Sequence, residues 1–136
     1  MKVSVPEKIK FICLNCGKCC LDTEMEISNK EVESIEKLGY SRKKFTLIEN
    51  GYLRLKNIKG HCYFYNLENR KCIIYENRPL GCRFYPLVLN QNTCEIDEEC
   101  SCYEENKKIE IPKEICKKLK KYVMQLDNEI KERLKQ

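Results

Sequence analysis

Near its N-terminus the chain reads Cys13-Leu-Asn-Cys16-Gly-Lys-Cys19-Cys20. Gaps of two residues let a tight turn bring successive thiolates to one metal ion, and Gly17 permits the backbone bend this needs. Adjacent side chains of an extended segment point to opposite faces, so Cys19 and Cys20 do not suit one mononuclear centre together. The doublet implies two sites or one supernumerary thiol. Further ligands are expected from Cys62, Cys72 and Cys82, with nine residues between neighbours, and from the group Cys94, Cys100 and Cys102. Cys13, Cys16 and Cys19 match the first three ligands of a [4Fe–4S] run, but the usual Cys-Pro continuation is missing and Cys20 intrudes. A remote ligand such as Cys82 would complete a cluster. Zinc accepts four thiolates equally well, so spacing leaves the metal open.

Eleven cysteines in 136 residues admit a disulfide framework in an oxidising compartment or metal ligation in a reducing one. The first segment carries Lys2, Glu7, Lys8, Lys10 and Lys18 and no apolar stretch of secretory type, so we read the protein as soluble and cytoplasmic, with no membrane span. An odd number of cysteines cannot pair fully within one chain, which also favours metal. The wealth of Lys, Glu and Ile resembles heat-adapted composition, whose cytosols tolerate disulfides. The core looks thin. Hydrophobic residues make up 42%, but that figure includes the cysteines, and the chain has no Ala and no Trp. Metal binding would compensate, because structural zinc contributes on the order of 10–16 kcal/mol, comparable with the whole ~5–15 kcal/mol stability of a domain.

These cysteines must be positioned by small elements. Ser28 with Glu31 forms a capping box, and Ile27 with Val32 a hydrophobic staple, predicting a helix over 28–38 whose Val32, Ile35 and Leu38 share one face before Gly39 stops it. Phe45 to Glu49 and Tyr52 to Lys56 flank Asn50-Gly51, a type I′ turn pair, and predict a hairpin. A second hairpin is expected from Cys62–Tyr65 through a polar turn into Cys72–Tyr75, with Cys62 and Cys72 meeting near its base. Pro79 suits the start of a short helix ending before Pro86, and 87–90 with 93–96 form a third hairpin. From Pro112, Ile115, Leu119, Tyr122, Val123, Leu126, Ile130 and Leu134 recur at helical spacing. We expect the distal Leu126, Ile130 and Leu134 to stay uncovered, available to a second copy or a partner. The fold class expected is therefore small α+β and metal-stabilised: a cysteine-cluster domain over 1–111 and an amphipathic helix over 112–136, packed on it or on a partner.

Arg78 and Arg83 bracket Cys82. Either they favour its thiolate, or they pair with Glu24, Glu26 or Glu76 and pack on Tyr75 and Tyr85. His61, the one histidine, is read as a packing or surface residue, and Tyr63, Phe64 and Tyr65 as core rather than a base-stacking platform. The net charge of +5 comes from Lys interleaved with Glu along the last helix, a solvated face rather than a nucleic-acid stripe.

The run Cys13 to Cys20, followed by Cys62, Cys72 and then Ile74-Tyr75-x-x-Arg78-Pro79-x-x-Cys82-Arg83-x-Tyr85-Pro86, resembles the YkgJ-like family of zinc- or iron-chelating cysteine-cluster proteins. That family is described as having eight cysteines at a metal site and is often labelled Fe–S, with no agreed activity. The cysteine-rich part of flagellin lysine methylase is similar to it. Carrying positions over, the resemblance implies ligands at Cys13, Cys16, Cys19, Cys20, Cys62, Cys72 and Cys82, and an eighth at Cys100 or Cys102; Cys94 and Cys116 have no counterpart. Cys116 reads as a small core residue beside the apolar stripe.

Three classes compete: a metallocluster protein handling electrons, metal or a modification reaction; a structural zinc module without redox activity; and an independent enzyme. The last has least support, since the five glycines sit singly and one histidine builds no catalytic constellation. An Fe–S cluster leads, Zn²⁺ follows, and a protein or redox partner, or a homodimer through the last helix, is expected with either.

Overall fold

Ser28 caps the first helix by a reciprocal box: its hydroxyl accepts from the Glu31 amide, and the Glu31 carboxylate accepts from the Ser28 amide at 2.9 Å. This helix, α1 (Asn29–Glu36), opens most of what the computed structural model describes, residues 20–136. Val32 and Ile35 are buried as the periodicity requires, but the helix stops at Glu36, so Leu38 falls outside it and is exposed. A single turn, α2 (Arg42–Phe45), follows, fastened to α1 where Arg42 donates twice to the Glu36 carboxylate at 2.9 and 2.6 Å. That turn takes Phe45 out of the expected strand and buries it.

The hairpin β1 (Thr46–Glu49) and β2 (Tyr52–Leu55) forms around Asn50-Gly51, both at positive φ (52° and 84°), as a type I′ pair does. The second hairpin differs from expectation. Cys62 lies in β4 (His61–Cys62), which pairs with β3 (Asn57–Ile58), whereas Cys72 lies in β6 (Lys71–Cys72), which pairs with β5 (Tyr65–Asn66). Turns at 63–64 and 73–74 cut the aromatic runs into two-residue ladders, so Cys62 faces Asn57 and Cys72 faces Tyr65. Phe64 needs that turn, since it is fully buried, with Tyr40, Phe45 and Tyr63 around its ring at centroid distances of 5.0, 5.4 and 5.1 Å. The aromatic run therefore fills core.

After a 3₁₀ turn at Tyr75–Asn77 come α3 (Leu80–Phe84), the hairpin β7 (Leu87–Asn90) and β8 (Thr93–Ile96), the single turn α4 (Tyr103–Asn106) and the long α5 (Lys113–Leu134). Among the described residues the elements make four separate two-stranded sheets. Buried side chains fall into two cores. The first joins α1, Phe45, β2 and the short ladders up to Ile74; the second joins Phe84, Leu87, Ile96 and Ile115, Leu119, Tyr122 and Leu126 of α5. Short helices, hairpins and one long helix make an α+β fold.

The stripe of α5 is covered further along than expected. Leu126 and Ile130 are buried within the chain, and Leu134 alone of the distal three is exposed. Leu126 belongs to the second core, and Ile130 lies against the tip of the first hairpin, where Arg133 donates to the Gly51 carbonyl at 2.9 Å; Arg133 also donates to Asn29 Oδ1 of α1 at 2.7 Å. A Cβ on Gly51 would lie 3.0 Å from Leu134 Cγ and 3.2 Å from Ile130 Cγ2. Gly51→Ala combines that crowding with a strained positive φ and is expected to destabilise the protein by about 1–2 kcal/mol in urea unfolding. Asn50→Ala, which leaves the α5 contact alone, should cost less. No helix of the described residues is long and apolar enough to cross a membrane.

Candidate metal centre

Cys62 is buried in the first core, and Cys20, Cys72 and Cys82 pack against that same core from three other segments. Cys20 is brought there by backbone pairing. Leu21 forms an antiparallel bridge with His61, and the Asp22 amide donates to the Gly60 carbonyl at 2.8 Å. Continuing that register by one residue sets Cys20 opposite Cys62. Asn57 locks the arrangement, because its carboxamide accepts from the Thr23 amide at 3.0 Å and donates to the Thr23 carbonyl at 2.8 Å. Cys72 is fixed by its ladder with Tyr65 and by the next amide, Ile73, which donates to the Phe64 carbonyl at 2.7 Å.

Cys82 sits in α3, whose approach depends on its neighbours. A Cβ at Gly81 would collide with Met25 Sδ, so glycine lets this helix lie against Met25 and the Glu26 backbone. Its first turn is then held by Glu31. Besides closing the capping box, the Glu31 carboxylate accepts from the Leu80 amide at 2.5 Å and from the Tyr122 hydroxyl at 2.5 Å. One carboxylate thus joins α1, α3 and α5. Burial pushes the Tyr122 phenol well above its usual range, and the Glu31 charge pushes the same way, as does the nearby Cys82; the Gly81 amide opposes them by hydrogen-bonding the phenol oxygen. Glu31, Tyr122 and Asn57 are positioning residues that spacing analysis missed. The capping box did reveal Glu31, but only its local role.

The two arginines turn to their own loop. Arg78 donates from Nε to the Tyr75 carbonyl at 2.9 Å and lies 3.9 Å over the Tyr75 ring, and Arg83 donates to the Glu76 carbonyl at 3.2 Å. They brace the 3₁₀ turn ahead of Cys82, and none of these bonds is an ion pair with Glu24, Glu26 or Glu76. Tyr85 bonds Asp97 at 2.7 Å and so ties α3 to the end of β8. His61 Nδ1 lies 2.9 Å from the Cys62 carbonyl, with its ring edge-on to Tyr65, a packing role.

Of the remaining sequence-predicted ligands, Cys13, Cys16 and Cys19 lie outside the described residues. Cys100 and Cys102 belong to the turn before α4. The buried Cys102 occupies its N-cap, and the half-buried Cys100 sulfur lies 3.8 Å from Asn106 Nδ2. Among the described residues no three Cys, His, Asp or Glu side chains converge as a group able to hold a metal ion. The donor set nonetheless fits a soft metal. Four cysteines border one core, and Cys20 directly continues the Cys13–Cys19 run whose sulfurs a closed site needs.

The chain is 34% identical over 86 residues to the uncharacterized protein MJ0661 of Methanocaldococcus jannaschii, an alignment covering 57% of this chain and 45% of that protein. The chain thus spans less than half the length of that curated relative. No solved structure matches it. The family pattern "CxxCxxCC: Putative zinc- or iron-chelating domain" matches residues 12–132, a span that takes in the cysteine run, both short ladders, α3 and nearly all of α5, and the chain belongs to that family.

Proposed function

We propose that the protein chelates an Fe–S cluster through cysteine thiolates and works in electron transfer, metal handling or as an accessory to a modification reaction. The observation that supports this reading is that Cys20, Cys62, Cys72 and Cys82, from four segments, border one core, with Cys20 contiguous with the Cys13–Cys19 run. These residues would hold the group, with Cys100 or Cys102 as a further ligand, and an Fe–S cluster bound there supplies one-electron chemistry. The rest of the chain fixes the ligand segments: Asn57 clamps the segment after Cys20 at Thr23, and Glu31 with Tyr122 clamps the helix of Cys82. The family's zinc- or iron-chelating description supports chelation itself. Electron transfer calls for a redox partner.

Purification without oxygen from iron-supplied cells, followed by metal analysis and a visible spectrum, tests the reading. Thiolate-bound iron gives broad visible absorption, whereas closed-shell Zn²⁺ gives none. The expected preparation is brown, and Ser at Cys13, Cys16, Cys19, Cys62, Cys72 or Cys82 lowers its iron several-fold, while Cys94→Ser and Cys116→Ser leave it nearly intact. Stoichiometric zinc without colour makes the protein a structural zinc module instead. Equal losses at all eight positions would show that ligands and bystanders are wrongly divided.

A further inference from the structure

The outward face of α5 is mostly lysine. Opposite the buried Ile115, Leu119, Tyr122, Leu126 and Ile130, steps of three and four residues pass through Lys113, Lys117, Lys120 beside Lys121, Lys131 and, at the C-cap, Lys135. Met124 and Asn128 fill the middle of the row, and every residue of it is exposed. Along the sequence these lysines alternate with Glu and read as a solvated face, but around the helix the two signs separate. Glu114 and Glu132 fall on one border of the row and Asp127 on the other, while Glu129 pairs with Arg133 at 3.2 Å beside the buried stripe. Lys135 pairs with Glu132 at 3.2 Å; among the described residues no carboxylate forms an ion pair with the other lysines of the row.

This arrangement works against the helix that carries it. Lys113 with Lys117, Lys117 with Lys121, and Lys131 with Lys135 are like-charge neighbours four residues apart, and Lys113 stands in the first turn, at the positive end of the helix dipole. A helix whose charges serve only solvation gains by alternating the signs at that spacing. A continuous row of one sign is instead compensated from outside, by an anion as extended as the row itself, and the chain's net charge of +5 adds to the attraction.

We propose that α5 docks on double-stranded DNA, lying across the major groove with its two lysine groups on the phosphates of the two bordering strands. At ~1.5 Å per residue, Lys121 and Lys131 are about 15 Å apart along the helix, enough to bridge a groove roughly 12 Å wide, and the uncharged Met124 and Asn128 face its mouth. Lysine is a point charge suited to phosphate, and phosphate contacts carry no base information, so the docking is independent of sequence. Other anions match the row less well. It offers no aromatic side chain on which a single strand would stack. Its one large apolar residue, Met124, is too little for the anchored centre of a protein interface, where lysine is depleted. A flat anionic membrane would meet the bordering Glu114, Asp127 and Glu132 together with the lysines, and the apolar face of α5 that would enter it is buried within the chain.

The test follows the anisotropy of a labelled DNA duplex of about two helical turns with the metal-loaded full-length protein as KCl rises. With about five phosphates neutralised, affinity should fall roughly 500-fold between about 50 and about 200 mM salt, whatever the base sequence. Lys117→Gln with Lys121→Gln should lower the slope of log affinity on log salt by about 2, whereas Lys43→Gln with Lys44→Gln, which removes the same charge from the exposed side of α2, should leave it unchanged. In the wild-type protein, bound duplex should shield the lysines of the row, and not Lys43 or Lys44, from an amine-acetylating reagent, a readout that needs no variant to fold. Absence of binding at low salt, an equal loss in the two double variants, or no shielding of α5 overturns the proposal. So does tighter binding to a single strand, an RNA duplex, polyglutamate or phosphatidylserine vesicles, each of which would give the row a different occupant. None of these outcomes turns on which metal the first core holds.

Discussion

Stripping the metal under anaerobic conditions is expected to abolish the cooperative thermal transition of the first core. Its secondary structure is too slight to stand alone: β3–β4 and β5–β6 are ladders of two residues per strand, and an isolated two-stranded hairpin is marginal at best. Thiolate coordination would tie the four segments that carry Cys20, Cys62, Cys72 and Cys82 to one point. At about 10 kcal/mol or more, that coupling rivals the ~5–15 kcal/mol stability of an ordinary domain. The loss should be uneven. Phe84, Leu87 and Ile96 with α5 form a separate apolar core, so helical ellipticity should persist after the aromatic signal of Tyr40, Tyr63 and Tyr65 has collapsed. Zinc, or iron with sulfide, added back should restore the cooperative transition and the aromatic signal. An apo protein with every thiol titratable and an unchanged midpoint would end the case for a structural metal.

Glu31→Ala should destabilise the metal-loaded protein by about 3–5 kcal/mol in urea unfolding. The change removes the acceptor of three donors, the amides of Ser28 and Leu80 and the hydroxyl of Tyr122, and Ser28 and Tyr122 are almost wholly buried. A buried donor left without a partner costs about 1–3 kcal/mol, and losing a capping interaction adds about 1 kcal/mol. Tyr122→Phe removes one bond and its donor together, so it should cost only about 1 kcal/mol. The variant should also hold metal less tightly, because the first turn of α3 loses its anchor next to Cys82. A Glu31→Ala protein no weaker than Tyr122→Phe would show that water replaces the carboxylate and that the three-way junction carries little.

The features legible in the sequence are those whose cause lies within a few residues. Ser28 and Glu31, Asn50 and Gly51, and the hairpin over 87–96 each carry a complete local instruction, and each appears where the pattern put it. The ladder partners of Cys62 and Cys72 were not legible, because two-residue strands have no periodicity to read. What sets the first of these ladders in place beside Cys20 is a side chain, Asn57, bonded to Thr23 across 34 residues. The same holds at the far end of α5, where helical spacing identified the apolar face but could not show that Gly51, 82 residues from Arg133, would cover it. For the metal centre, residue type and motif were readable and the supporting shell was not. Glu31 reaches Leu80 over 49 residues and Tyr122 over 91, distances on which a capping box is silent.

The bond between Glu31 and Tyr122 also orders events during synthesis. Ribosomes add roughly 5–20 residues per second, so on the order of 5–20 s pass between the making of Glu31 and of Tyr122, which lie 91 positions apart. In the last part of that interval, after Cys82 has been made, the cysteine-bearing ladders are complete in sequence while α3 still lacks the clamp from α5. A metal delivered then meets Cys82 on a helix not yet fixed to α5; one delivered later meets that helix already held through Glu31 and Tyr122. Loading during translation is therefore expected to be the faster route, and slowing the ribosome between the codons for Cys82 and Tyr122 should raise the metal content of the product.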